Sequence, residues 1–228
     1  PRQQHGASLQ HQLHALKPMA EAAKNFQQGI DVESGLGLQI QFVGQPDVEM
    51  AFQSLGDERK KIELLSVRQE GDQTIANVFV PDGKLDHFER IVTEYLQEKK
   101  DKNGNPRDHR NLVNTIESIR NAELEALWTD DPDLLPDDKS KEFWWEVWLP
   151  VRGARQAVIN DFTKIVEGSG CVVSEARADF PERTVVLMKG SQRQFSQSVM
   201  GLNCVAELRR AKETADSFDD LALSLIHI

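Results

Sequence analysis

The apolar pattern of this chain constrains its fold most, because one order of elements occurs twice. Alternating apolar residues in GLGLQIQFVG predict a strand, PDVEMAFQSL a short helix, KIELLSVRQEG and QTIANVFVPDG two strands, and KLDHFERIVTEYLQEKK a second helix. The same order returns as FWWEVWLPV, ARQAVINDFTKIVEGSG, CVVSEARADF, RTVVLMKG and SQRQFSQSVMGL. Matching segments start 107 to 110 residues apart. This near-constant spacing indicates an internal duplication.

The repeated β-α-β-β-α order is typical of the ferredoxin-like split βαβ unit, an antiparallel sheet with helices on one face. We therefore predict an α+β protein with units at 35–100 and 143–210, joined by a helical connector. The second unit adds a last strand around CVAEL, whereas the first has no clear fourth strand, which suggests that another segment supplies it. In the strand order 4-1-3-2, Cys171 and Cys204 lie on opposite edges, so we predict two free thiols.

Further segments flank the two predicted units. Residues 1–34 are expected to be helical or irregular, and residues 101–142 to form a linker with an amphipathic helix, NLVNTIESIRNAELEALW. The stripe of that helix consists of Leu112, Ile116, Ile119, Leu124 and Leu127. Residues 211–222 are predicted to be a charged helix or linker. The six residues 223–228, LSLIHI, match the translation of a transposase adapter widely used in sequencing libraries, so we expect read-through rather than protein.

Composition narrows the classes of function. A net charge of -10, with Lys and Arg scattered among Asp and Glu, argues against nucleic acid as a partner. No run approaches the roughly 18 apolar residues of a membrane span, so no membrane partner is expected. Two cysteines without a CxxC pair suggest a reducing compartment, and we predict a cytoplasmic location. The chain begins with Pro1 rather than Met and opens with no signal-peptide pattern.

Four histidines are candidates for catalytic or metal-binding residues. HGAS, from His5 to Ser8, resembles the surroundings of a catalytic histidine, but no helix-forming apolar run follows directly and no serine lies in a nucleophile setting. His11 and His14 have the i, i+3 spacing of a metal pair but lack a further ligand, so we expect them to be exposed. His87 is expected at the edge of a helix core face. We predict no catalytic residue, no metal site and no cofactor.

Three tryptophans in EFWWEVWLP are the other candidate feature. Alternation along a strand places Trp145 on the face opposite Trp144 and Trp148. One set is expected to pack under the helices and the other beneath the connector or a neighbouring domain. Exposed aromatic residues on a sheet also bind bases or peptides, but no basic residue lies close by in the sequence, which favours a contact between domains over nucleic acid.

Several long sequence segments resemble those of one known family. IELLSVRQEG, ANVFVPDGKLDHFE, ESIRNAELEALWTDDP, FWWEVWL, FPERTVVL and VAELRRAKET are similar to the amino-terminal region of large bacterial subtilisin-like serine peptidases (subtilases). The resemblance covers about 35–218. In that family the Asp, His and Ser of the triad lie in a later domain, and none of its D-T-G, H-G-T or G-T-S motifs occurs here. The resemblance therefore transfers no catalytic residue to this chain.

The resemblance implies a non-catalytic role. In subtilases generally, a ferredoxin-like propeptide packs its sheet against the protease and extends its tail toward the active site, as folding chaperone and inhibitor. The second unit and the following ELRRAKETADSF suit that role, with the chain's own subtilase domain as partner. The alternative is a stand-alone protein- or ligand-binding module of two ferredoxin-like units. On either hypothesis we expect no peptidase activity from this polypeptide alone.

Overall fold

The computed structural model describes residues 1–198 and 203–212, which divide into two compact units. Unit 1 consists of Pro1–Gly29 and Gly35–Ala122, and unit 2 of Ile30–Ser34 and the described chain from Glu123 onward. Each unit contains a four-stranded antiparallel sheet. The predicted α+β class with two ferredoxin-like units is confirmed.

Unit 1 places two helices on one face of its sheet. The helices and strands, in chain order, are α1 Arg2–Gly29, β1 Gly37–Gly44, β2 Glu63–Glu70, β3 Gln73–Pro81, α2 Leu85–Leu96, α3 Arg110–Val113 and β4 Ile116–Asn121. The strand order is β2-β3-β1-β4, which is the expected 4-1-3-2 arrangement. Leucines of α1 and alternate residues of the central strands form one core, made of Leu9, Leu13, Leu16, Ile40, Phe42, Ala76 and Val78 with their neighbours.

The first helix of unit 1 differs from the prediction. PDVEMAFQSL was expected to form a helix between β1 and β2, but it forms only the 3-10 turn Phe52–Leu55. Asp47 adopts a left-handed φ of 56°, which is incompatible with a regular helix at that position. Helix α1 covers the sheet beside α2 instead. HGAS is part of α1, and Leu9, Leu13 and Leu16 form a helical apolar stripe directly after it, so the expectation that no such run follows is wrong.

The prediction of an amphipathic helix over NLVNTIESIRNAELEALW is wrong. The segment forms the short α3, then β4, then the 3-10 turn Leu124–Leu127. Its isoleucines fit a helical stripe, but Ile116 and Ile119 also fit a strand that contains a bulge, and β4 pairs with β1 from Ile40–Asn121 to Gly44–Ile116. Tertiary pairing decides between two such local preferences. The missing fourth strand of unit 1 therefore comes from the predicted linker, and unit 1 continues to Ala122.

Unit 2 repeats this plan with its helix between the first two strands. Its elements are β5 Glu142–Pro150, α4 Arg155–Glu167, β6 Val172–Asp179, β7 Arg183–Ser191, α5 Gln192–Ser196 and β8 Glu207–Arg210, with strand order β6-β7-β5-β8. Strand β8 confirms the predicted last strand, slightly later than CVAEL. Of the predicted charged helix or linker at 211–222, the structure describes only residues 211 and 212. The predicted read-through segment 223–228 lies outside the described residues.

The segment Ile30–Ser34 is fixed to unit 2 by a buried carboxylate. Asp161 of α4 is fully buried, and its oxygens accept the backbone N–H of Glu33 at 3.0 Å and of Ser34 at 2.6 Å. Ile30 and Val32 pack against the core of the same unit. A buried charge of this kind is tolerated when several donors compensate for its lost hydration.

Both cysteines are free, as predicted. Cys171 and Cys204 are buried in unit 2. Burial raises the pKa of the Cys171 thiol to about 11 and of the Cys204 thiol to about 12. Both thiols are therefore protonated and unreactive at neutral pH. In the part of the chain that the structure describes, no helix is both long enough and apolar enough to cross a membrane.

Adjacent tryptophans provide a matched test of the unit 2 core. Trp145 is 1% exposed and donates its indole N–H to the carbonyl of Gly190 at 2.9 Å, whereas Trp144 is half-buried on the other face. We expect Trp145→Ala to lower the free energy of unfolding by about 3–5 kcal/mol and Trp144→Ala by about 1 kcal/mol. Denaturant unfolding measures both; equal losses would contradict the assigned faces.

Candidate functional site

The two faces of the unit 2 sheet have different chemistry. One face is covered by helices and contains Trp145, whose ring contacts Phe143, Trp128 and Phe195 at centroid distances of 4.3, 5.8 and 5.3 Å. The opposite face, which we call the tryptophan face, carries half-buried apolar side chains from β5 and β7: Trp144, Trp148, Val185 and Leu187. Because Trp145 packs under the helices and its neighbours do not, the predicted alternation is confirmed.

Exposed apolar side chains extend the tryptophan face toward solvent. Phe180, at the end of β6, is 46% exposed, and its ring stacks on Trp148 with centroids 5.7 Å apart and an interplanar angle of 11°. Val172, at the start of β6, is 60% exposed. A stacked aromatic pair with one exposed ring on a sheet face is typical of a surface that binds another protein.

Charged residues lie beside the tryptophans after all. The Arg209 guanidinium lies 4.7 Å from the Trp148 ring centroid, and Lys189 is the β7 partner of Trp144. These basic residues are far from the tryptophans in the sequence, and only the pairing of β5 with β7 and β8 brings them close. Each tryptophan neighbourhood also contains acids: Glu207 accepts from Arg209 at 2.8 Å, and Glu146 accepts the Trp148 indole N–H at 2.8 Å. The face is therefore mixed in charge rather than basic.

Unit 1 contains a concave feature, which we call the α1–α2 groove. Its cavity volume is about 300 Å³, at the lower end of the range for small-ligand pockets. Ala20, Leu38, Val80 and Leu85 form an apolar floor, and the rim carries Lys17, Glu21, Asp82, Asp86 and Glu89.

Ion pairs organise the rim of this groove. Lys17 lies 2.8 Å from Glu89 and Lys24 lies 3.0 Å from Asp82, and the contact with Asp82 raises the pKa of Lys24. With Glu21 and Asp86 added, four carboxylates face two ammonium groups. The rim is net negative, so the groove suits a cation with an apolar stem. No pattern in the sequence indicated this site, because its residues come from four elements.

The amino-terminal histidines have structural positions. His5 Nε2 lies 3.0 Å from the carbonyl oxygen of Val113, and its ring meets Tyr95 edge-on at 6.2 Å. Ser8 is exposed on α1. His11 and His14 are exposed, as predicted. Within 1–198 and 203–212, no group of three or more His, Cys, Asp or Glu side chains is placed to hold a metal ion.

His87 lies at the edge of the α2 core face, as predicted, and it has an unusual partner. The Lys60 ammonium donates to His87 Nδ1 at 2.6 Å, and Asp57 lies 3.7 Å from the same ammonium. Burial lowers the pKa of His87, and the charges of Lys60 and Arg90 lower it further, against the opposing effects of Asp57 and Asp86. Neutral His87 thus holds the 3-10 turn Glu58–Lys60 beside α2.

Comparison with known proteins gives one family match. The model of the family described as the Y4kK N-terminal domain matches residues 3–123, just over half of the chain. The matched region ends within one residue of the end of unit 1. No curated protein and no solved structure matches the chain.

Acid should weaken unit 1 through His87. Since the folded-state pKa is lowered, the unfolded chain binds more protons below about pH 6.5, so the free energy of unfolding should fall as pH decreases from about 7.5 to about 5.5. The variant His87→Gln should show a smaller fall, because its amide oxygen can still accept from Lys60 but does not titrate in this range. His14→Gln, at an exposed position, should follow the wild type. Urea unfolding at several pH values measures this, and identical pH profiles for wild type and His87→Gln would contradict the assignment.

Proposed function

The chain belongs to the Y4kK N-terminal domain family, and we propose that it is a non-catalytic, propeptide-like or regulatory region of a subtilisin-like serine endopeptidase. In this role the parent protein carries out proteolysis, and its catalytic Asp, His and Ser lie in a separate domain. The proposal rests on the resemblance of residues 35–218 to the amino-terminal region of bacterial subtilases.

The tryptophan face is the observation that supports this role best. A ferredoxin-like propeptide inhibits by laying the sheet face opposite its helices on the protease, and in unit 2 that face carries Trp148 and Phe180. Aromatic residues give large contact area with little loss of side-chain entropy. Arg209 and Glu146 lie beside Trp148. Their charges would fix the orientation of the bound protease, since like charges placed opposite each other are costly in an interface.

The remaining parts of the proposal concern the tail and the compartment. Strand β8 is at the edge of the unit 2 sheet, and on this proposal the residues that follow it in sequence serve as the tail directed at the active site. We propose a cytoplasmic location, because a chain with only two cysteines and no CxxC pair suits a reducing compartment.

Inhibition of a subtilase domain tests the role directly. The polypeptide, added to the catalytic domain encoded with it, should inhibit peptide hydrolysis or raise the yield of refolded protease. Trp148→Glu should raise the half-inhibitory concentration about tenfold or more, because it puts a charge in the contact. Leu134→Glu is the matched control, since Leu134 is 42% exposed outside this face, and it should inhibit like the wild type.

Two results would contradict the proposal. One is a catalytic domain whose activity and refolding are both unaffected by the polypeptide. The other is genomic: the coding sequence after residue 222 should contain a subtilase aspartate motif, and a natural stop codon there would argue for a stand-alone module.

The α1–α2 groove supports a second candidate function, binding of a ligand by a stand-alone module. An organic cation with an apolar stem, such as a diamine or a lysine side chain, would place its stem on the floor and its charge beside Glu21 or Asp86. The groove lies in the region that the family model matches, so this function would belong to unit 1 alone.

Titration with pentane-1,5-diamine, followed by NMR, tests the second candidate. We expect shifts at residues of the groove that weaken with added salt, since the attraction is electrostatic. Glu21→Gln should weaken binding by about threefold or more, while Glu58→Gln, an exposed acid outside the groove, should not. Equal shifts with neutral pentanol, or none with the diamine, would exclude a cation site.

A further inference from the structure

Helix α1 has a long face that carries no charge. Its 28 residues bury one side in unit 1, through Leu9, Leu13 and Leu16. The side directed away from that core, which we call the outer face of α1, consists of residues that are all exposed: Gln4, Ser8, His11, Ala15, Pro18, Met19, Ala22, Asn25 and Phe26. A surface helix normally places charged residues opposite its core side, and charged residues make up 28% of this chain.

The charges of α1 are all used on another flank of the helix. Arg2 pairs with Asp108, Lys17 with Glu89 and Lys24 with Asp82. The fourth charged residue, Glu21, lines the α1–α2 groove. All four therefore serve the flank that faces α2 and its neighbourhood. This segregation leaves the outer face neutral from Gln4 to Phe26.

Within the outer face, the apolar residues follow coiled-coil spacing. Ala15, Met19, Ala22 and Phe26 are separated by four, three and four residues, which confines them to an arc of about 60° on the helix. Met19 is 47% exposed and Phe26 is 38% exposed. Two exposed apolar side chains are ordinary by themselves; their alignment in a neutral stripe with alanines between them is not.

We propose that the outer face of α1 binds a second copy of this chain, as an antiparallel helix pair around a two-fold axis. Reversing the stripe on itself places Phe26 opposite Ala15 and Met19 opposite Ala22. Every large side chain then meets a small one, so the stripe is complementary to itself. A two-fold interface requires this self-complementarity. A parallel pair would set Phe26 against Phe26 and leave gaps at the alanines.

The order of large and small side chains selects this occupant, and the absence of charge on the stripe is compatible with it. A partner recognised by charge would find no charged group on the outer face, whereas a second copy presents an equally neutral stripe and loses no ion hydration on binding. With Phe26 opposite Ala15, the two copies of α1 overlap over residues 12–29, which is about 27 Å or five turns. This inference does not depend on the proposed function, because it concerns a different unit and a different surface.

Sedimentation equilibrium from about 1 µM to about 200 µM tests the pairing. We expect a concentration-dependent mass that approaches twice that of the monomer. Met19→Glu and Ala22→Arg should each weaken the dimer at least about tenfold, because each puts a charge in the neutral stripe. Leu134→Glu, at a position of similar exposure in unit 2, should leave it unchanged. Circular dichroism of each variant confirms that α1 is retained.

Cross-linking tests the direction of the pair. A mixture of Ala15→Cys and Phe26→Cys proteins should form the mixed disulfide in preference to either homodimer, since antiparallel pairing brings only unlike positions within disulfide reach. Cys171 and Cys204 are buried and do not compete. A monomer at all concentrations, or a dimer that survives Met19→Glu and Ala22→Arg, would overturn the proposal. Preferential homodimers of the cysteine variants would overturn the antiparallel arrangement.

Discussion

The packing of α1 on the first sheet is the interaction on which unit 1 depends. The stretch between β1 and β2 provides no regular helix, so the leucines of α1 supply the apolar surface that covers the strands beside α2. A paired hydrogen bond fixes the junction: the buried Gln27 side chain donates to the carbonyl of Gly37 at 2.8 Å and accepts its N–H at 2.9 Å. A side chain at Gly37 would lie 2.5 Å from Phe79 and from the carbonyl oxygen of Val80. The end of α1 and the start of β1 are thereby held together closely.

At its other end, α1 is attached through charge. Asp108 is 1% exposed and is held by Arg110, at 2.8 Å, and by Arg2. The Arg110 guanidinium holds the pKa of the Asp108 carboxyl well below its usual range. Arg2 also lies 4.1 Å from the Tyr95 ring centroid, so one side chain joins α1 to α2 and to the α3 region. Together with the ion pairs of Lys17 and Lys24, these contacts lie on the flank of α1 that faces α2 and its neighbourhood, away from the outer face.

The sequence predicted the elements whose pattern is local. Alternation identified β1, β3, β5 and β7, and it assigned Trp145 to the core side correctly. The prediction from apolar pattern failed where a segment fits a helix and a strand equally well. Ile116 and Ile119 satisfy a helical stripe as well as a bulged strand, and only the free edge of β1 decides between them. The role of α1 was missed for a related reason, since Leu9, Leu13 and Leu16 are separated by polar residues and their partners on β1 lie about 25–30 residues later in the chain.

Candidate sites were harder to predict than strands, because each depends on residues that are distant in sequence. Arg209 reaches Trp148 through the pairing of β8 with β5, and the α1–α2 groove requires both helices and the ends of two strands. The two ferredoxin-like units also differ on the sheet face away from their helices. Unit 1 has buried amides there, with Asn77 donating to Ser66 at 3.1 Å, where unit 2 has tryptophans. A shared fold does not impose a shared role. The proposed protease contact involves unit 2 alone, through the tryptophan face, while the family match and the outer face of α1 belong to unit 1. Association of copies and contact with a protease should therefore be separable by mutation.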